Sequence, residues 1–174
     1  MLHESSTVEM GPDCGKAGQV EGRYQGMTRT AQCGCGRARM TVDGDPLLVG
    51  ACHCDFCQKR SGSVFAVQAY FAESQCVEVD GETKVYNGMK VDGIGSTSGD
   101  SIDYHFCTTC GSTLYWNVER RGSAMIGIAV GNFVDPDFPP PAREYYARLR
   151  HHWVPSISSA ETFETFPEEE AQLF

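Results

Sequence analysis

No stretch of this sequence approaches the ~20 consecutive apolar residues that a membrane-spanning helix needs, so insertion in a bilayer is not expected. The first residues, MLHESSTVEMGPDCG, have neither a basic start nor an apolar core and do not read as a secretory leader, which makes a reducing cytoplasm the expected setting. Positive charge is scarce as well. Fourteen Lys and Arg face 23 Asp and Glu, for a formal net charge of -9, and binding two dications with seven thiolates would lower it further. Such a surface repels phosphate backbones, so a nucleic-acid partner is not expected. Long amphipathic helical patterns are also missing. With 174 residues and 41% hydrophobic content the chain can still bury a real core, and it must do so mainly with strands.

Cysteine, by contrast, is abundant. Seven of the nine fall into three tight clusters: Cys33 with Cys35, Cys52 with Cys54 and Cys57, and Cys107 with Cys110. Closely spaced cysteines on a tight turn let their sulfurs converge on one ion, and a structural zinc takes four such ligands as a tetrahedron. Cys33, Cys35, Cys107 and Cys110 make one closed set that ties the front of the chain to its rear. Cys52, Cys54 and Cys57 then offer three thiolates to a second ion and leave its fourth position for water or a substrate atom, the pattern of a catalytic zinc. Three alternatives stand beside this reading. The cysteines could form a disulfide scaffold, as in small secreted proteins. Both ions could be structural, with His53, His105, Cys76 or Asp55 completing the second site. Iron could replace zinc in the four-sulfur site.

The chain divides into a domain with loose ends. Residues 1–28 are rich in Gly, Glu, Ser and Thr and read as a flexible lead-in, with Met27 a second candidate start and Cys14 a bystander. Residues 29–159 form the expected zinc-binding domain, and residues 160–174 an acidic tail from which Phe163 and Phe166 can tuck back. Ala38, Met40 and Val42 alternate with Arg37, Arg39 and Thr41, so a strand with one buried face follows the first cysteine pair. Strands are also expected over residues 47–51, 64–71, 77–79, 102–106, 113–118 and 124–130. Asp-Gly and Asn-Gly pairs mark turns between them, and residues 93–100 read as a flexible loop. Short helices are expected only over residues 55–60 and 143–150.

The most specific signal is CHCDFCQKRSGS at residues 52–63. With Cys33-Gly34-Cys35-Gly36 before it and Phe106-Cys107-Thr108-Thr109-Cys110-Gly111-Ser112 after it, the chain resembles the glutathione-dependent formaldehyde-activating (GFA) family, related to centromere protein V. The resemblance spans roughly residues 30–155. Gly127-Ile128-Ala129-Val130-Gly131-Asn132-Phe133 and His152-Trp153-Val154 are similar to the family's closing segments. It implies an all-β, β-tent-like fold with a four-cysteine structural zinc and a second zinc on three cysteines. It also implies a carbon-sulfur lyase-type reaction, the condensation of formaldehyde with glutathione to S-(hydroxymethyl)glutathione, so a small thiol and a small aldehyde become the expected partners. The alternative is a non-catalytic zinc-stabilised module that binds a small thiol or a protein.

Single residues follow from these assignments. Cys52, Cys54 and Cys57 are the candidate catalytic ligands, and Lys59, Arg60, Ser61 and Ser63, directly after them, are candidates to meet the carboxylates of glutathione. His53 sits between two ligands, so its side chain is expected to point away from the ion and to hydrogen-bond behind it. His105 reads as a strand-packing residue, Tyr104, Tyr115 and Trp116 as core or pocket wall, and Cys76 as a buried small hydrophobe.

Overall fold

The computed structural model describes Cys14 and residues 27–88, 102–120 and 123–167. The chain is built from strands arranged in two sheets, as the absence of helical periodicity requires. β1 (Thr28–Gln32), β2 (Arg39–Asp43) and β5 (Cys76–Asp80) form a small antiparallel sheet in the order β1-β2-β5. The larger sheet has eight strands. Its order is β11 (Glu161–Thr162), β10 (Arg143–Tyr145), β3 (Leu48–Cys52), β4 (Ala66–Ala72), β9 (Ser123–Ala129), β8 (Thr113–Arg120), β7 (Ile102–Cys107) and β6 (Thr83–Gly88). Neighbours in it pair antiparallel except at one edge, where β10 runs parallel to both β3 and β11. One helix of more than a single turn, α1 (Asp55–Ser61), is found among the described residues, and no helix there is long and apolar enough to cross a membrane.

Strand alternation explains where the core sits. Met40 and Val42 on β2 are fully buried while Arg39 is exposed, and they meet Phe71, Leu114, Ile126 and Ile128 of the large sheet. Burying such side chains stabilises the fold by roughly 1.5–3 kcal/mol each before entropy is counted. One close approach is dictated by sequence. Gly127 on β9 lies opposite Trp116 on β8, and a Cβ there would fall 2.1 Å from the indole Cε2 and Nε1. Only glycine lets that ring lie flat on the neighbouring strand.

The structure corrects three expectations. Residues 143–150 are not a helix: Arg143–Tyr145 is strand β10 and Ala147–Leu149 a 3-10 turn, with Tyr146 between them in the left-handed region at φ 57°. Pairing of Arg143, Glu144 and Tyr145 with Gly50, Ala51 and Cys52 of β3 outweighs the helical appearance of the charges. Cys14 is not a bystander, and Cys76 is not a free thiol. The two form a disulfide across 62 residues, with Cys14 packed against the core. Closing a loop of that length contributes about 4 kcal/mol in the chain-entropy account. Strands β1, β6, β10 and β11 were also not legible as strands, being short, polar or at sheet edges. The expected lead-in, apart from Cys14 and the residues after 26, and the loop at 93–100 lie outside the described residues.

Candidate active site

The two cysteine groups assemble at opposite kinds of place. Cys33 and Cys35 lie on the turn from β1 to β2, and Cys107 and Cys110 on the turn from β7 to β8, so the group joins the small sheet to the large one. Both turns need a glycine in the left-handed region: Gly36 at φ 73° and Gly111 at φ 73°, each donating its N–H to a cysteine carbonyl. The four sulfurs lie within 4.8 Å of one another. Cys33 and Cys35 Sγ are 3.5 Å apart and Cys35 and Cys107 Sγ 3.8 Å. Zinc-sulfur bonds of about 2.3 Å on a tetrahedron require edges of about 3.8 Å, which these two distances approach, so the set could hold such an ion. Backbone N–H groups of Ala38 and Thr109 point at the sulfurs of Cys33 and Cys107. Hydrogen bonding from Ser112 pulls the Cys110 thiol down to about 5, into the range where it is a thiolate ligand at neutral pH.

The second group is buried. Cys52 ends β3, Cys54 caps α1 by accepting from the Cys57 N–H, and Cys57 lies in the first turn of that helix. Gly62, left-handed at φ 66°, closes α1 at its other end. All three sulfurs are mutually within 4.8 Å, and His53, Asp55, Cys76 and His105 do not join them. Hydrogen bonds from Cys52 and Cys57 pull Cys54 down to about 3, while its bonds to Cys54 and Cys57 push Cys52 far up. The trio thus favours a thiolate at Cys54, and binding a cation would release the remaining protons.

Each residue proposed as a fourth ligand is held elsewhere. Cys76 is in the disulfide, and Asp55 is paired with Lys59 Nζ at 2.7 Å. His105 stacks on Tyr115 at 4.1 Å and bonds Thr83 Oγ1. His53, fully buried, lies with its Nε2 2.9 Å from Glu144 Oε1. Since a carboxylate only accepts, the Nε2–H donates. Glu144, also fully buried, accepts in addition from Ser156 Oγ at 2.8 Å, Thr162 Oγ1 at 3.1 Å and Arg150 at 3.5 Å. Burial opposes its ionisation, but the bonds from Ser156, His53 and Thr162 and the Arg150 charge prevail and hold the carboxyl below its ordinary value.

An aromatic wall borders the three cysteines. Arg60 of α1 lies 4.5 Å from the Trp116 ring and 5.0 Å from the Tyr104 ring, and it bonds Gln68 Oε1 at 3.3 Å. Phe56 packs against Tyr104 with their ring centroids 5.6 Å apart and the planes tilted by 44°. Of the candidate carboxylate-binding residues, Arg60 is therefore fixed on this wall, with its Nε buried and lacking a hydrogen-bond partner. Lys59 is largely exposed and turned to Asp55. The Ser61 hydroxyl is bonded to the Cys57 carbonyl, and Ser63 is exposed and donates its N–H to Ser61 Oγ. Sequence reasoning missed Glu144, Arg150, Ser156, Thr162 and Gln68. The one available sign was an acid directly before Tyr145-Tyr146-Ala147, where a carboxylate buried with the aromatic rings would need partners.

A Rhodobacter sphaeroides protein of known crystal structure has 21% sequence identity, with 64% of this chain and 91% of that one covered and a TM-score of 0.44. Residues 28–149 match the family described as "Glutathione-dependent formaldehyde-activating enzyme", a span that takes in all seven clustered cysteines and the wall residues Arg60, Tyr104 and Trp116. The chain belongs to the glutathione-dependent formaldehyde-activating enzyme family.

Proposed function

We propose that this protein is a carbon-sulfur lyase-type enzyme that joins glutathione, or a similar anionic thiol, to formaldehyde at the Cys52, Cys54 and Cys57 site, with a zinc ion there and a second, structural one on Cys33, Cys35, Cys107 and Cys110. The observation that carries the reading is three buried sulfurs within 4.8 Å of one another beside a cation fixed on an aromatic wall. Zinc on three thiolates would supply the charge that keeps an incoming thiol ionised near neutral pH.

The chain's own groups set out the rest of the chemistry. Arg60, spread on Trp116 and Tyr104, keeps its orientation and presents N–H groups to a carboxylate of the peptide. Burial pushes the Tyr104 hydroxyl up, against the opposing pull of Arg60, so it stays protonated and able to donate to an aldehyde oxygen. Sulfur attacks the carbonyl carbon, the C–S bond forms, and the C=O pair moves to oxygen. The proton that left the thiol ends on that oxygen, and nothing is oxidised or reduced. Holding thiol and aldehyde together supplies much of the effect.

Calorimetry with glutathione and ophthalmic acid tests the sulfur's part. Ophthalmic acid keeps the backbone and charges but carries methyl in place of the thiol. Binding through sulfur predicts a large loss of affinity for it, whereas equal affinities would contradict this reading.

A further inference from the structure

We propose that Glu144 is the positioning residue of the three-cysteine loop, and that it is keyed by the segment that follows the family-matched residues. The inference rests on the proposed metal site at Cys52, Cys54 and Cys57. His53 is the residue between two of those cysteines, so the orientation of its ring and main chain sets how Cys52 and Cys54 present their sulfurs. Its ring has one described polar contact, Nε2 to Glu144 at 2.9 Å, because Nδ1 is buried and has no hydrogen-bond partner. Its main chain is held as tightly: the N–H donates to Tyr145 O at 3.0 Å, and the carbonyl accepts from Gln58 Nε2 at 2.7 Å. Tyr145 lies directly beside Cys52 in the β3–β10 register.

Glu144 is itself fixed from the far side. Ser156 and Thr162 bond its Oε2, and Arg150 reaches Oε1. All three stand beyond residue 149, where the family match ends. Backbone bonds seat that segment along β10, with Phe163 N–H on the Glu144 carbonyl and Ala147 N–H on the Phe163 carbonyl. Phe163 and Phe166 then stack on Tyr145 at 5.8 and 5.2 Å. The chain therefore runs from the C-terminal segment to Glu144, to His53, to the two cysteines. The four-cysteine group shares none of these contacts. It lies on the turns that open β2 and β8, which makes it an internal control.

Cobalt(II) is the probe, since sulfur-to-metal charge-transfer and ligand-field bands report a four-sulfur and a three-sulfur site separately. Full-length wild type, Glu144→Gln and the Ser156→Ala/Thr162→Ala pair would be titrated against a competing chelator. Loss of a group bonded directly to a ligand typically costs 10–100-fold in metal affinity, and Glu144 acts one residue further out through His53, so a loss near the lower end, about tenfold, is the size to look for. That loss is expected at the three-sulfur site of Glu144→Gln, with a smaller loss in the Ser/Thr pair and altered ligand-field bands in both, while the four-sulfur site keeps its wild-type affinity. Equal weakening of the two sites, or no change at either, would overturn the proposal. Should Glu144→Gln fail to fold, the Ser/Thr pair is read by the same criterion, because it retains the carboxylate. Wild type that takes up a single cobalt ion would instead remove the metal reading, and this proposal with it.

Discussion

Replacing Gly127 by alanine tests the link between a backbone requirement and the proposed ligand site. The new methyl would fall 2.1 Å from Trp116 Cε2 and Nε1 and 2.6 Å from Cζ2, against an ordinary contact distance of at least 3.4 Å. The indole must retreat by more than about 1 Å, and it cannot do so alone. Tyr104 at 5.6 Å, Tyr70 edge-on at 6.3 Å and the Arg60 guanidinium at 4.5 Å all rest against it. Forcing one methyl into such packing costs about 1–3 kcal/mol, which for a chain of this size lowers the melting temperature by about 2–12 °C. Moving the indole also moves Arg60, so affinity for an anionic thiol should fall by roughly tenfold, the loss of one charge-assisted hydrogen bond. Thermal melts and calorimetry on the same preparation read both effects. Wild-type melting together with wild-type thiol affinity would refute the reasoning.

Further substitutions separate the two metal groups and the two cations. Cys107→Ser should leave little folded protein, because a closed structural zinc contributes on the order of 10 kcal/mol, comparable with the whole stability of a domain. Cys54→Ser should lower the melting temperature less, and equal losses in the two melts would mean that both groups are structural. Arg60→Ala should weaken glutathione binding while Lys59→Ala, which removes an exposed partner of Asp55, leaves it nearly unchanged; calorimetry decides. Glu144, held below its ordinary 4.5, stabilises the fold fully above about pH 4.5 and loses that contribution as pH falls through the lower folded value. The stability gap between wild type and Glu144→Gln in urea melts should therefore be widest near neutral pH and close in acid.

The cysteine spacing made the individual cysteine turns legible because each is local, whereas the meeting of Cys33 and Cys35 with Cys107 and Cys110, some 72 residues apart, rested on the count of ligands a closed site needs. Cys-x-Cys and Cys-x-x-Cys on glycine turns leave their sulfurs few directions to point, and the alternation at Met40 and Val42 fixed a buried face in the same way. Glu144 was not legible for the opposite reason. Its partners reach it from strand β11 (Thr162) and from connecting segments (His53, Arg150 and Ser156), and nothing in Arg143-Glu144-Tyr145 announces a strand parallel to β3. Periodicity over residues 143–150 suggested a helix because so short a run carries too few repeats to separate the two periods. The Cys14–Cys76 pair was hidden by its 62-residue separation, which no spacing rule reaches. Lys59 and Arg60 looked equivalent in the sequence, and only the arrangement of Trp116 and Tyr104 distinguishes them.

The most direct test of the account is exchange NMR on mixtures of glutathione and formaldehyde, with and without the zinc-loaded protein. The adduct forms spontaneously, so the quantity of interest is its rate of formation above buffer and above an equal concentration of Cys54→Ser protein. The account predicts an acceleration by wild type that Cys54→Ser abolishes and Arg60→Ala reduces. A rate for wild type no higher than both controls would contradict the formaldehyde-activating claim and leave a zinc-held thiol-binding module in its place.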